Sequence, residues 1–462
     1  MGAGATAATL AIPMRESRAF LAAVTAAVLL LLAAAPASAH ALHGNVDAPL
    51  PFVAYLAGAA VAVALSFVFA ALGDDRPPPE APAGRELSVW RPLRWALRLL
   101  GLVAWAWVVA QAVAGGSSDA EVGALLLWVF GWVGLALLSA LFGPVWAWLD
   151  PFSTFYDLAA ALLRPIGLRL PGRAPWHRRT HAWPAVVLLT VFVWLELVAK
   201  VGDVRTLGLV LVAYTLLTLG GMTWYGKVRW RTHGEVFSVW FGLLGRLAPW
   251  GVLGRRKDGT IQRRGFGSAL STEPWDRSML AVVAVGTGSV IWDGISQTQA
   301  WYDLVGQPHV IVETAILLGF LALVVGLVLL VAERAGRAAM GAGLVPVAVG
   351  YIVAHYLTYL LTEGQRIVVA LSDPLQQGWD LLGTVQFEPR EDFISSSAVW
   401  TMQVSAVVIG HVVGAWLGHS AVRRRRAMGE TASQWPLAAL MIGMTVLALW
   451  SLGQNLVFVA EA

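Results

Sequence analysis

The chain has 462 residues, 58% of them hydrophobic and 13% charged, with a mean hydropathy of +0.67. A soluble domain is about half apolar and about a quarter charged, so this composition excludes a soluble globule and describes an integral membrane protein. With no Cys, disulfides, thiolate metal sites, iron–sulfur clusters and cysteine nucleophiles are excluded as well. The net charge of +4 resides in particular loops, where it reports topology rather than nucleic-acid binding.

In chain order, residues 1–39 fit a signal peptide with an N-terminal extension. Met14 to Arg18 supply a basic region, Ala19 to Ala35 an apolar core, and Ala37-Ser38-Ala39 an A-x-A-type cleavage site. An uncleaved signal anchor is the alternative, because the core is longer than the usual ~7–15 residues. Residues 40–49 then form an extracytoplasmic lead-in containing His40 and His43, and residues 50–462 a transmembrane bundle.

Hydropathy predicts an all-α fold, a polytopic transmembrane helix bundle of about ten spans with interfacial amphipathic helices. The segments are 50–72, 95–115, 122–143, 183–201, 207–225, 278–297, 309–331, 343–362, 398–421 and 435–458. Arg and Lys collect in 74–94, 164–181, 227–264, 333–338 and 423–426, which are alternate connections. By the positive-inside rule these face the cytoplasm, which places the mature N- and C-termini outside a bacterial cytoplasmic (inner) membrane. The segment Gly73 to Arg85 is a Pro-rich linker. Two inner stretches, Trp148 to Arg164 and Glu235 to Pro249, have helical apolar spacing but are too short to span, so they predict helices at the inner interface or packed beneath the bundle. The first is entered through Pro151, with Ser153 or Thr154 placed to cap it.

Ionisable groups inside spans cost several kcal/mol unless they face a polar interior, so they mark candidate sites. Of nine His, His177, His181 and His233 lie among cytoplasmic arginines and His419 lies one turn before the last Arg cluster. The other five, His40, His43, His309, His355 and His411, belong to the outer segment or to the outer half and middle of spans. Glu313 lies one turn beyond His309, while Asp293 and Gln297 end the sixth span. His355, Tyr359, Thr362 and Arg366 form one helical stripe. Together with His411 and Gln403 these predict an outward-facing cavity, with Glu313 and Asp293 as candidate catalytic carboxylates. Cleavage before His40 would join a terminal amine to its imidazole. With His43, His309, His355 or His411, that set provides nitrogen ligands for a divalent ion such as copper or zinc.

The segments HALHGNVDAPLPFVAYLAGAAVAVALSF, HGEVFSVWFGLLGRLAPW and LSDPLQQGWDLLGT resemble those of bacterial multi-pass membrane proteins often labelled fenitrothion hydrolase. The resemblance extends over most of the mature chain and implies a membrane-bound, metal-dependent hydrolase of organophosphorus triesters, whose lipophilic small-molecule substrate would arrive through the lipid bilayer. The residues themselves carry no H-E-x-x-H, G-x-S-x-G or P-loop signature. They fit equally a non-enzymatic membrane protein that binds a metal ion or transports a small ligand. Partner subunits are not specified by either reading.

Overall fold

The computed structural model describes residues 52–72, 86–88, 91–116, 121–143, 145–168, 170, 172, 174–252, 260–390, 393–428 and 433–454. The predicted signal peptide, the lead-in with His40 and His43, and the Pro-rich linker lie outside the described residues.

Each predicted span has its helix: α1 (Phe52–Leu72), α2 (Arg91–Ala114), α3 (Val122–Phe142), α4 (Trp183–Leu197), α5 (Val204–Tyr225), α6 (Arg277–Ser296), α7 (Val310–Ala335), α8 (Arg337–Glu363), α9 (Ser396–Ala427) and α10 (Trp435–Leu452). Among the described residues, eight helices are long and apolar enough to cross a membrane. The apolar stretches described in α1 and α4, Leu56–Val68 and Trp183–Leu197, are shorter than that. Long apolar helices with all backbone groups bonded internally are what lipid tolerates, and the fold is an all-α membrane bundle.

The core centres on α6, of whose twenty residues sixteen are buried, and on α8, packed tightly against α9. Gly410, Gly414 and Gly418 repeat at four-residue spacing along α9 and let its backbone meet α8, the small-residue device that membrane helices use for close approach. A Cβ on Gly410 would lie 2.7 Å from the Pro346 carbonyl oxygen, and one on Gly350 would lie 2.6 Å from that of Ala406. Ten residues of α3, Leu125–Gly134, are wound as a π-helix, which places Trp132 inward, stacked on Trp240 at 5.5 Å.

The Arg-rich connections meet at one end of the bundle. Asp157 accepts from Arg98 at 2.5 Å and Lys227 at 2.7 Å, Arg277 pairs with Glu333 at 2.9 Å, and the Ser433 amide bonds the Arg334 carbonyl. A small antiparallel sheet, absent from the sequence-based expectation, joins two of them: β1 (Glu86–Ser88), β2 (Trp250–Val252) and β3 (Thr260–Arg263), in the order β1-β3-β2. Its register pairs Leu87 with Ile261 and Gly251 with Gln262. At the other end Arg205 bonds the Gly115 carbonyl and Trp107 that of Pro374.

Both predicted non-spanning helices form. The cap of Pro151–Leu163 is Asp150, whose carboxylate accepts from the Ser153 amide at 3.1 Å, rather than Ser153 or Thr154; Pro151 occupies the first turn, where no amide hydrogen is needed. The helix Val236–Leu244 is buried on six of its nine residues, so it is packed beneath the bundle. Its cap Glu235 is fully buried and accepts from Tyr214, Trp146 and the amides of Phe237 and Ser238.

Candidate functional site

Asp293 lies near the end of α6 opposite the Arg-rich connections, 8% exposed among apolar neighbours. An isolated buried carboxylate would be prohibitive, and here three side chains compensate it. Gln297, one turn along the same helix, donates to Oδ1 at 2.5 Å. On α8, the Tyr356 hydroxyl donates to Oδ2 at 2.7 Å, and His355 Nε2 lies 2.9 Å from the same oxygen. A carboxylate only accepts, so the hydrogen sits on Nε2 and leaves Nδ1 of a neutral His355 as an acceptor. Glu196 on α4, half-buried, is within electrostatic reach of Asp293 and Tyr356.

The helix packing explains this convergence. Gly294 keeps α6 close to its neighbours: a Cβ there would meet Ser451 Oγ at 3.1 Å and His355 Cε1 at 3.8 Å. Beside His355 is a cavity of about 20 Å³ bounded mainly by aliphatic side chains, with Tyr351, His355 and Ser451 as its polar members. That is room for about one water molecule.

The remaining expected site residues are dispersed. His411 is fully buried, its Nδ1 2.8 Å from the Val407 carbonyl and its Nε2 3.5 Å from the Tyr351 hydroxyl. His309 is exposed and caps α7, accepting from the Ile311 amide. Glu313, half-buried on α7, has Lys200 as its charged neighbour. Of the predicted stripe only His355 enters the cluster, because Arg366 pairs with Glu363 and Tyr359 is 40% exposed. Among the described residues, no group of three or more His, Asp or Glu is arranged to hold a metal ion.

Sequence reasoning passed over Glu196, Tyr356 and Tyr351. Glu196 carried the clearest signal, as an acid within an apolar span. Tyr356 follows His355 directly, yet nothing in a single sequence states that both turn toward α6.

No family model, curated protein or solved structure matches the chain.

Outside the spans, titration is governed by ion pairs and burial. Burial works against ionisation of Asp157, but Lys227 and Arg98 outweigh it and hold its carboxyl below the usual range. Burial lowers the Lys227 ammonium despite its bond to Asp157. Burial, then the nearby Asp150 charge, pushes the Glu235 carboxyl up. These groups secure the Arg-rich end, whereas the Asp293 cluster joins a buried carboxylate to an imidazole, the side chain that exchanges protons near neutral pH.

Proposed function

We propose that the protein is a proton-linked membrane carrier in which Asp293, His355 and Tyr356 bind and release a proton while a small ligand crosses the bundle. The observation that carries this reading is the bond from His355 Nε2 to Asp293 Oδ2 at 2.9 Å, buried between two spanning helices. Buried ionisable groups in membrane helices mark ion pathways and proton relays. Asp293 fixes the imidazole, Tyr356 and Gln297 share the carboxylate's charge, and Glu196 offers a second acid within electrostatic reach of it. The positive-inside rule supports placing this cluster at the outer face of a bacterial inner membrane, with the Arg-rich connections in the cytoplasm.

A second reading is favoured by the water-sized cavity against His355. An imidazole oriented by a carboxylate is a general base, and a water there would be its substrate for attack on a lipophilic phosphotriester arriving through the bilayer. The resemblance to the group labelled fenitrothion hydrolase supports that chemistry. The cavity of about 20 Å³ does not accommodate a triester unless the helices part, so we rank this reading second. A divalent copper or zinc ion held by His40 and His43 remains a proposal for the extracytoplasmic lead-in, tested by metal content of the His40→Ala and His43→Ala variants.

One preparation separates the two readings. Protein reconstituted in liposomes with a trapped pH dye is assayed for proton uptake, and the same vesicles for release of nitrophenol from a dialkyl nitrophenyl phosphate. The carrier reading expects proton movement that exceeds protein-free vesicles and no turnover; turnover without proton movement overturns it.

A further inference from the structure

Deeper in the bundle than His355, a second set of groups has unequal donors and acceptors. His411 Nδ1 lies 2.8 Å from the Val407 carbonyl, an acceptor only, so Nδ1 carries the hydrogen and Nε2 of the neutral ring is an acceptor. Among the described residues, its one polar neighbour at hydrogen-bond range is the Tyr351 hydroxyl at 3.5 Å, but that hydroxyl has a single hydrogen and lies 2.5 Å from the Met444 carbonyl. Met444 O takes the hydrogen in the resting arrangement, which leaves the fully buried His411 Nε2 without a donor at good distance. Rotation of the Tyr351 hydroxyl about its C–O bond would transfer the same hydrogen from one acceptor to the other.

Tyr351 also borders the cavity that touches His355, one helical turn away on α8. Three acceptors belong to its polar members: His355 Nδ1, the Tyr351 oxygen, and Ser451 Oγ, whose own hydrogen goes to Ala448 O at 2.9 Å. A single water has two hydrogens for such a set, and two to four polar partners are what an internal water requires.

The geometry points to a water-binding site in this cavity and to His411 as a second proton acceptor, so that the relay runs from Asp293 and His355 through one water and Tyr351 to His411. The inference rests on the carrier reading and extends it toward the middle of the bundle. The transfer balances. A proton on His355 Nδ1 passes to the water oxygen, the water gives one of its hydrogens to the Tyr351 oxygen, and Tyr351 gives its original hydrogen to His411 Nε2. Water and tyrosine end neutral, and one proton has moved from one imidazole to the other. At the His355 end, Asp293 on α6 bonds the imidazole, and Glu196 on α4 and Tyr356 and Tyr359 on α8 each interact electrostatically with Asp293. The α10 sequence, which supplies Met444 and Ser451, contains no charged side chain.

The test compares proton uptake by proteoliposomes of the unmodified protein with Tyr351→Phe, which removes the switching hydroxyl, Ala448→Val, which fills the cavity, and Asp293→Asn. Both relay variants are expected to slow uptake by about tenfold or more, as loss of a positioned proton-transfer group does. In ¹⁵N spectra of histidine-labelled protein, Tyr351→Phe is expected to shift His411 Nε2, assigned by its absence in His411→Asn, and to leave the bonded His355 Nε2 unchanged. If Asp293→Asn is inactive while Tyr351→Phe and Ala448→Val stay within about twofold and the His411 resonance does not move, the relay ends at His355 and this inference fails alone. If Asp293→Asn retains full uptake, the carrier reading itself fails.

Discussion

Replacing Gly410 by Ala tests whether the α8–α9 contact sets the site geometry. The new Cβ would lie 2.7 Å from the Pro346 oxygen and 3.2 Å from the Gly350 Cα, both backbone atoms that cannot rotate away. Carbon and oxygen in ordinary contact sit about 3.3–3.6 Å apart, so the helices must separate by about 0.6 Å or more. A radial gap of that size forfeits roughly a quarter of the dispersion energy of each atom pair it opens, and over-packing of this kind costs about 1–3 kcal/mol. In α10, a Cβ on Gly443 meets nothing within 4 Å, so Gly443→Ala is the control, expected within about 0.5 kcal/mol of the parent. Equilibrium unfolding in mixed micelles, followed by tryptophan emission, measures both. Separation would also draw His411 away from Tyr351, so the Gly410 variant is expected to lose proton uptake as well as stability. A Gly410→Ala protein as stable as the parent would refute the close backbone contact and with it the stated position of His411.

Three further outcomes follow from the Arg-rich end. Glu235→Ala removes the acceptor of four buried or half-buried donors and the cap of Val236–Leu244, so a loss of at least about 3 kcal/mol is expected in the same unfolding assay, and a loss below about 1 kcal/mol would contradict the bonds described. Because Asp157 titrates below its ordinary value of 3.8, the stability it contributes is complete above that value and fades as pH falls through the lower native one. Asp157→Asn, at a site 41% exposed, should therefore cost less than about 1 kcal/mol near neutrality, with the deficit disappearing in unfolding measurements below pH 3.8. A cysteine placed at Arg424 in this Cys-free chain should react with an impermeant thiol reagent only after the inner face is opened; labelling from outside would invert the proposed orientation.

Span positions were legible because lipid imposes a simple rule, a long apolar run, and each predicted run became a helix. What composition does not encode is how helices rotate about their axes. Asp293 and His355 were each recognisable as ionisable groups in apolar spans, and Gln297 as a neighbour one turn from Asp293, but their junction depends on how α6 and α8 face one another. His309 and Glu313 show the converse: one-turn spacing put them on a common face, yet His309 ends as an exposed cap. The glycine spacing of α9 was present in the sequence as a packing signal, and Glu196 as an ionisable residue in a span. The small sheet was illegible, since its pairing of Glu86–Ser88 with Thr260–Arg263 joins segments far apart in sequence.

The central claim is that the Asp293 carboxylate, through His355, carries a proton. Initial proton uptake by proteoliposomes, measured with the unmodified protein and with Asp293→Asn at equal protein content, tests it most directly. The amide is isosteric and keeps an oxygen acceptor but no longer ionises, so uptake is predicted to fall by about tenfold or more while the unfolding midpoint stays near that of the parent. Uptake within about twofold of the parent in a folded Asp293→Asn protein would contradict the account.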